Sequence, residues 1–169
     1  MRVSGPTPLP RGVRDDALET IIATWFGVGL TRKAPGTWGT LAALPVGFVA
    51  VWLGGPVFLA LVAIAIMVAG IWASERVVAR IDREVHHDLP VIVVDEVAGM
   101  LIALIPAGFS PWLWLLAFLL FRLLDIWKPW PIRPIDRHVK GGLGIMIDDI
   151  AAGVIVAGIL YFVAPYLGL

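Results

Sequence analysis

From Ala34 to Ser74 the chain runs for 41 residues without one charged side chain. A single helix of that length would reach roughly 60 Å, about twice the hydrocarbon core of a bilayer. Gly54-Gly55-Pro56 falls in its middle and reads as a turn. The run therefore predicts two helices, about Thr37–Leu53 and Pro56–Ala73, each near the length a bilayer requires. Composition points the same way. Hydrophobic residues make up 59% and charged residues 15%, against about 45–50% and about 25% in ordinary soluble domains. The mean hydropathy is +0.89. The expectation is an all-α integral membrane bundle in one domain, residues 1–169. Residues 1–16, with three prolines and no apolar core, read as a flexible tail and not as a signal peptide. With no cysteine, disulfides, thiolate metal sites and cysteine nucleophiles are excluded. A net charge of zero gives no support to nucleic-acid binding.

The second apolar block, Val97–Phe121, fits either one span of 25 residues or a hairpin turning at Pro106-Ala107-Gly108-Phe109-Ser110-Pro111. Charge decides. With a hairpin, segments 1–33, 75–96 and 122–149 share one side and carry all 13 Lys and Arg residues. The positive-inside rule favours that arrangement, with the charged side cytoplasmic. The last span is expected at about Ile145–Val163. Trp38, Trp72, Trp127 and Trp130 then fall near cytoplasmic ends, and Trp52, Trp112 and Trp114 near outer ends, as an aromatic belt. Thr20–Leu30 adds a further short helix on or in the membrane surface. The count is five short spans, amino terminus in and carboxyl terminus out.

Two acidic pairs, Asp95-Glu96 and Asp148-Asp149, open charge-free stretches of this kind. Hydrocarbon does not solvate carboxylates, so such groups persist where they bind something. Presented from two helix starts, they suit a hard divalent ion such as Mg²⁺, which takes oxygen ligands. The competing explanation is a helix-dipole complement at each N-terminus. Neighbouring helical residues point about 100° apart, so each pair is expected to divide between ligand and supporting roles. Ile92–Ala98 also aligns with Ile145–Ala151, and Gly99 and Gly153 follow within about a turn, as in an internal repeat.

Arg122, Asp125 and Lys128 recur at i, i+3 and i+6 and share a helix face that Pro129 ends. Asp125 is expected to join the metal site, and Lys128, with Arg122 or Arg133, to bind phosphate. The alternative is a salt-bridged helix end whose cations reach lipid phosphates. In Pro35-Gly36-Thr37-Trp38-Gly39-Thr40 the residues Gly36, Thr37 and Thr40 suit an anion cradle or, equally, an N-cap and turn. Gly141-Gly142-Leu143-Gly144 allows close backbone approach to a headgroup, or a flexible link. His86-His87 reads as a solvated pair, since no third metal ligand has suitable spacing.

Taken together, Gly27–Leu30, Ala34–Thr40, Val94–Met100, Phe121–Ile132 and Gly141–Gly153 resemble the phosphatidylglycerophosphatase A family of bacterial membrane lipid phosphatases, in the right order over about residues 20–165. One departure is Arg32, where the family pattern has proline. The resemblance implies Mg²⁺-dependent hydrolysis of phosphatidylglycerol phosphate in the bacterial cytoplasmic membrane, with the active site facing the cytoplasm. It implies Asp95, Glu96, Asp148 and Asp149 as metal and catalytic groups, a membrane phospholipid as substrate, and is compatible with a homo-oligomer. Rival readings are a phosphatase for another lipid phosphate and a small cation or proton transporter. A transporter favours charges deep within spans, whereas these acids cluster at one face. The Asp-Gly-x-x-Ala-Arg signature of CDP-alcohol phosphotransferases is missing.

Overall fold

The computed structural model describes residues 7–81, 89–134 and 139–167. Among them there is no strand. The helices that build the bundle are, in order, α1 (Leu18–Ala23), α2 (Pro35–Val78), α3 (Val94–Leu104), α4 (Pro111–Trp127) and α5 (Gly141–Val163). Single 3-10 turns occur at Val28–Leu30, Ile105–Ala107 and Ala164–Leu167. His86 and His87 lie outside the described residues.

The expected turn within the long apolar run is present. Gly54 and Gly55 leave helical geometry, and Gly55 has φ 68°, which favours glycine. The two halves double back on each other. A Cβ on Gly39 would lie 2.8 Å from Val93 Cβ, and one on Gly70 would lie 3.2 Å from Val94 Cγ1. In a straight helix those glycines would stand roughly 46 Å apart, yet both face the same step of the chain. The second block is a hairpin too. A 3-10 turn and Gly108 separate α3 from α4, and Trp114 Nε1 donates to the Gly108 carbonyl across the bend at 2.9 Å. Ser110 caps α4, its hydroxyl accepting from Leu113 N–H, with Pro111 following in the first turn, where its missing N–H costs nothing.

α3 is the central element. Val97 to Leu101, Ala103 and Leu104 are buried. Its crossing with α5 is close because Gly99 and Gly153 face each other's backbones: a Cβ on Gly99 would meet the Asp149 carbonyl at 2.5 Å, and one on Gly153 would strike Gly99. Alanines 43, 63, 73, 98, 103, 117 and 152 are buried among larger side chains such as Leu59, Leu101 and Phe121, while Trp52, Val57, Trp112, Trp127 and Phe162 stand exposed. Small residues let helix backbones approach closely. Two helices, Pro35–Val78 and the segment Gly141–Tyr166, are long and apolar enough to cross a membrane.

Three expectations change in detail. α5 begins at Gly141, not Ile145, so the glycine run is its first turn and not a link. Its second glycine packs on α2, where Glu75 Oε2 accepts from Gly142 N–H at 2.5 Å. Asp148 and Asp149 are consequently not at a helix start but about 10 Å along the helix, out of reach of a first-turn dipole role. Third, the helix expected within Thr20–Leu30 is only Leu18–Ala23 plus a 3-10 turn. It packs on protein: Ala23 is buried, its carbonyl accepts from Val93 N–H at 2.9 Å, and Glu19 pairs with Arg80.

Candidate active site

Folding back at Gly54-Gly55 and at Pro106–Pro111 brings the start of α2, the start of α3, the end of α4 and the second and third turns of α5 to one end of the bundle. That end collects the charged groups. Asp95 and Glu96 occupy the first turn of α3, and Asp95 Oδ1 accepts from Glu96 N–H at 3.0 Å. Asp149 reaches them from α5. Asp95, Glu96 and Asp149 each offer a carboxylate oxygen, and these oxygens lie within 4.8 Å of one another.

The burial of this cluster is uneven. Asp149 is 3% exposed, whereas Asp95 and Glu96 are half-buried and open the group to the outside. Glu96 Oε2 and Asp149 Oδ1 are buried and accept no hydrogen bond among the described residues. Buried carboxylate oxygens without donors are costly, and like charges in one site raise that cost. Protonation of a carboxyl or a bound cation would each relieve that cost, and three converging acids are the kind of donor set a hard divalent ion takes. Gathered from α3 and α5, these three acids could hold one hard divalent ion, which takes oxygen ligands.

Asp148 takes a different direction, as the 100° step between helical neighbours requires. Its Oδ2 lies 2.5 Å from Lys128 Nζ at the end of α4. It stays close enough to Asp95 for their charges to interact. Asp125 pairs with Arg122 one turn earlier on α4 and lies close enough to Asp149 and Glu96 for their charges to interact. Arg122 Nη1 also donates to Thr40 Oγ1 at 3.5 Å, while the Thr40 hydroxyl donates to the Gly36 carbonyl at 2.8 Å. Neither Thr37 nor Thr40 caps α2; the cap position is Ala34, with no side-chain bond. Gly36 instead matters for its missing side chain, since a Cβ there would strike Glu96 Oε1 and sit 3.1 Å from Arg122 Nη1.

Of the residues expected from sequence, Asp95, Glu96 and Asp149 form the central cluster. Asp125, Asp148, Arg122, Lys128, Gly36 and Thr40 surround it, with Thr37 half-buried on the same turn. Arg133 stands apart: it is exposed, and its Nη2 donates to the Trp127 carbonyl at 3.4 Å. Glu75 was not foreseen. It lies outside any motif, and its role in holding the start of α5 depends on two segments 67 residues apart.

Comparison with known proteins places the chain among named relatives. Residues 21–164 match the family model described as Phosphatidylglycerophosphatase A. The chain is 46% identical over 147 residues to the Escherichia coli (strain K12) protein named phosphatidylglycerophosphatase A, covering 86% of this chain and 83% of that one. It is 41% identical over 148 residues to the protein of the same name from Haemophilus influenzae, covering 86% and 88%. No solved structure matches it significantly. The chain therefore belongs to the phosphatidylglycerophosphatase A family and is a phosphatase.

Proposed function

We propose that this chain is a Mg²⁺-dependent hydrolase of phosphatidylglycerol phosphate, embedded in the bacterial cytoplasmic membrane with its charged end at the cytoplasmic headgroups. The observation that carries the reading is the group of three carboxylates flanked by two cations at one end of an otherwise apolar bundle. Five crossings, made by the two halves of α2, by α3, α4 and α5, account for the apolar exterior and for the sharing of one end by every charged segment that is described. α3 has 11 residues and is about 17 Å long, shorter than a hydrocarbon core of about 30 Å, so its acidic end does not project past the cytoplasmic headgroups. A lipid phosphate in the cytoplasmic leaflet arrives at that level.

Asp95, Glu96 and Asp149 would hold the metal. When bound, a divalent ion supplies polarisation of the phosphoryl oxygens and a water of lowered pKa. The protein's own groups do the rest. Water attacks phosphorus as the bond to the glycerol oxygen breaks, giving the alcohol of phosphatidylglycerol and inorganic phosphate. A carboxylate oxygen of the cluster that is not engaged takes the proton of the attacking water. Lys128 and Arg122, each already held by an acid, offset charge developing on the phosphoryl oxygens. Gly36 leaves room beside Glu96 and Arg122 where a side chain would displace both.

The test is phosphate release from phosphatidylglycerol phosphate in vesicles by purified protein, with and without Mg²⁺. Release that stops on chelation and returns with Mg²⁺ supports the reading. Metal-independent release, or none with this lipid but release from another lipid phosphate, overturns it.

A further inference from the structure

Two carboxylates adjacent in sequence lead separate lives here. Asp149 turns into the cluster with Asp95 and Glu96, while Asp148 turns to the end of α4 and meets Lys128. We propose that Asp148 is a positioning residue for Lys128, holding its ammonium beside the carboxylate cluster for the phosphoryl group, and is not a ligand of the cluster's metal. The inference rests on the phosphatase reading above and assigns this one residue within it.

Three observations support it. The Asp148 side chain is 7% exposed and that of Lys128 26%. A carboxylate so deeply placed needs a fixed counter-charge, because removing one partner of a buried pair strands the other. Second, the backbone of Lys128 is left-handed, φ 43° and ψ 61°, at the residue that stops α4. That turn ends α4 at the very residue whose ammonium meets Asp148. Third, the chain around Lys128 is anchored on both sides. Its N–H donates to the Leu124 carbonyl at 2.8 Å, and Ile132, four residues on, is wholly buried in the core. The long lysine stem is therefore the main remaining freedom. Left alone, such a stem extends its charge toward surrounding lipid phosphates. Asp148 draws it inward. An ammonium has three donors that rotate about one bond, so it can grip a phosphoryl oxygen without leaving the carboxylate.

The experiment compares the wild type with Asp148→Asn, Asp148→Glu, Asp149→Asn, Lys128→Met and the double variant Asp148→Asn/Lys128→Met, all as purified full-length protein in lipid vesicles. Three readouts are taken: Mn²⁺ binding by electron paramagnetic resonance, KM and kcat for phosphatidylglycerol phosphate, and the rate at which a sulfonated succinimidyl ester acylates Lys128, followed by peptide mass. Asp148→Asn should leave Mn²⁺ affinity within about twofold, whereas Asp149→Asn should weaken it about tenfold or more, as loss of a ligand does. Asp148→Asn should lower kcat/KM about tenfold or more through the lost charge-assisted hold on the lysine. Asp148→Glu should restore part of this. The double variant should be no worse than Lys128→Met alone, because Asp148 acts through the lysine. Acylation of Lys128 should quicken about tenfold in Asp148→Asn once the ammonium is released. Weakened Mn²⁺ binding in Asp148→Asn, a further loss in the double variant, or unchanged acylation would each overturn the proposal. The acylation arm decides it even if the wild type hydrolyses no lipid phosphate, an outcome that defeats the phosphatase reading alone.

Discussion

Gly36 shows how one missing side chain shapes the charged end. Its Cα sits where Glu96 and Arg122 come together, and a methyl group there would overlap the Glu96 carboxylate. Gly36→Ala should leave the bundle folded but push Glu96 out of line with Asp95 and Asp149. Displacement of a reacting or ligating group by about 1 Å can cost on the order of a hundredfold in rate. The expected result is a fall in kcat/KM of that order with a nearly unchanged unfolding temperature. Gly158→Ala is the control: a Cβ at that position meets nothing within 4 Å, and alanine is the better helix former. Equal loss of activity in both variants would show that steric pressure on Glu96 is not the cause. Motif reading singled out Gly36 on other grounds, as part of an anion cradle or of an N-cap and turn. Which side chains crowd it depends on α3 and α4, which are remote in sequence.

At the level of whole helices, α5 depends on α2 for its start. The cap residue Lys140 makes no side-chain capping bond. The Glu75 carboxylate takes that role from another helix, accepting from Gly142 N–H. Two turns further on α5 carries Asp148 and Asp149, so this bond helps set their depth and rotation. Glu75→Ala should destabilise the protein by about 1 kcal/mol, the usual cost of a lost N-cap, read as a lower unfolding midpoint in detergent. Glu75→Gln keeps an acceptor oxygen and should lose less. If both variants unfold like the wild type, α5 does not rely on this cap. Placing the beginning of α5 at Ile145 from sequence failed for the same reason. The glycines of its first turn are poor helix formers by themselves, and packing on α2 overrides that preference.

For the molecule as a whole, the proposed membrane topology makes its own prediction. The chain has no cysteine, so an introduced thiol is the sole target for a thiol reagent. In intact cells, cysteines at Gly55 and Ser110 should react with an impermeant reagent added outside, and one at Lys140 should react only after permeabilisation. Outside labelling at Lys140 would mean that the charged end does not face the cytoplasm. The fold places Gly55 and Ser110 at the turns remote from the carboxylates, consistent with that assignment of ends.

Helical class, the turn at Gly54-Gly55, the hairpin at Pro106–Pro111 and the identity of most charged-end residues follow from sequence alone. The physical reasons are local or additive: charge-free length, chain-breaking glycine and proline, and the high cost of carboxylates in apolar surroundings. Asp95, Glu96, Asp149, Arg122 and Lys128 needed no coordinates to be suspected. Tertiary structure alone decides how they are partnered. Whether Asp148 faces Asp149's companions or Lys128 depends on the rotation of α5 about its axis. That rotation is set by Gly99 against Gly153 and by Glu75 against Gly142, contacts between segments far apart in the chain. The exclusion of Arg133 from the cluster has the same origin, since its direction is set by the chain stop at Lys128 and the burial of Ile132 and by no periodicity.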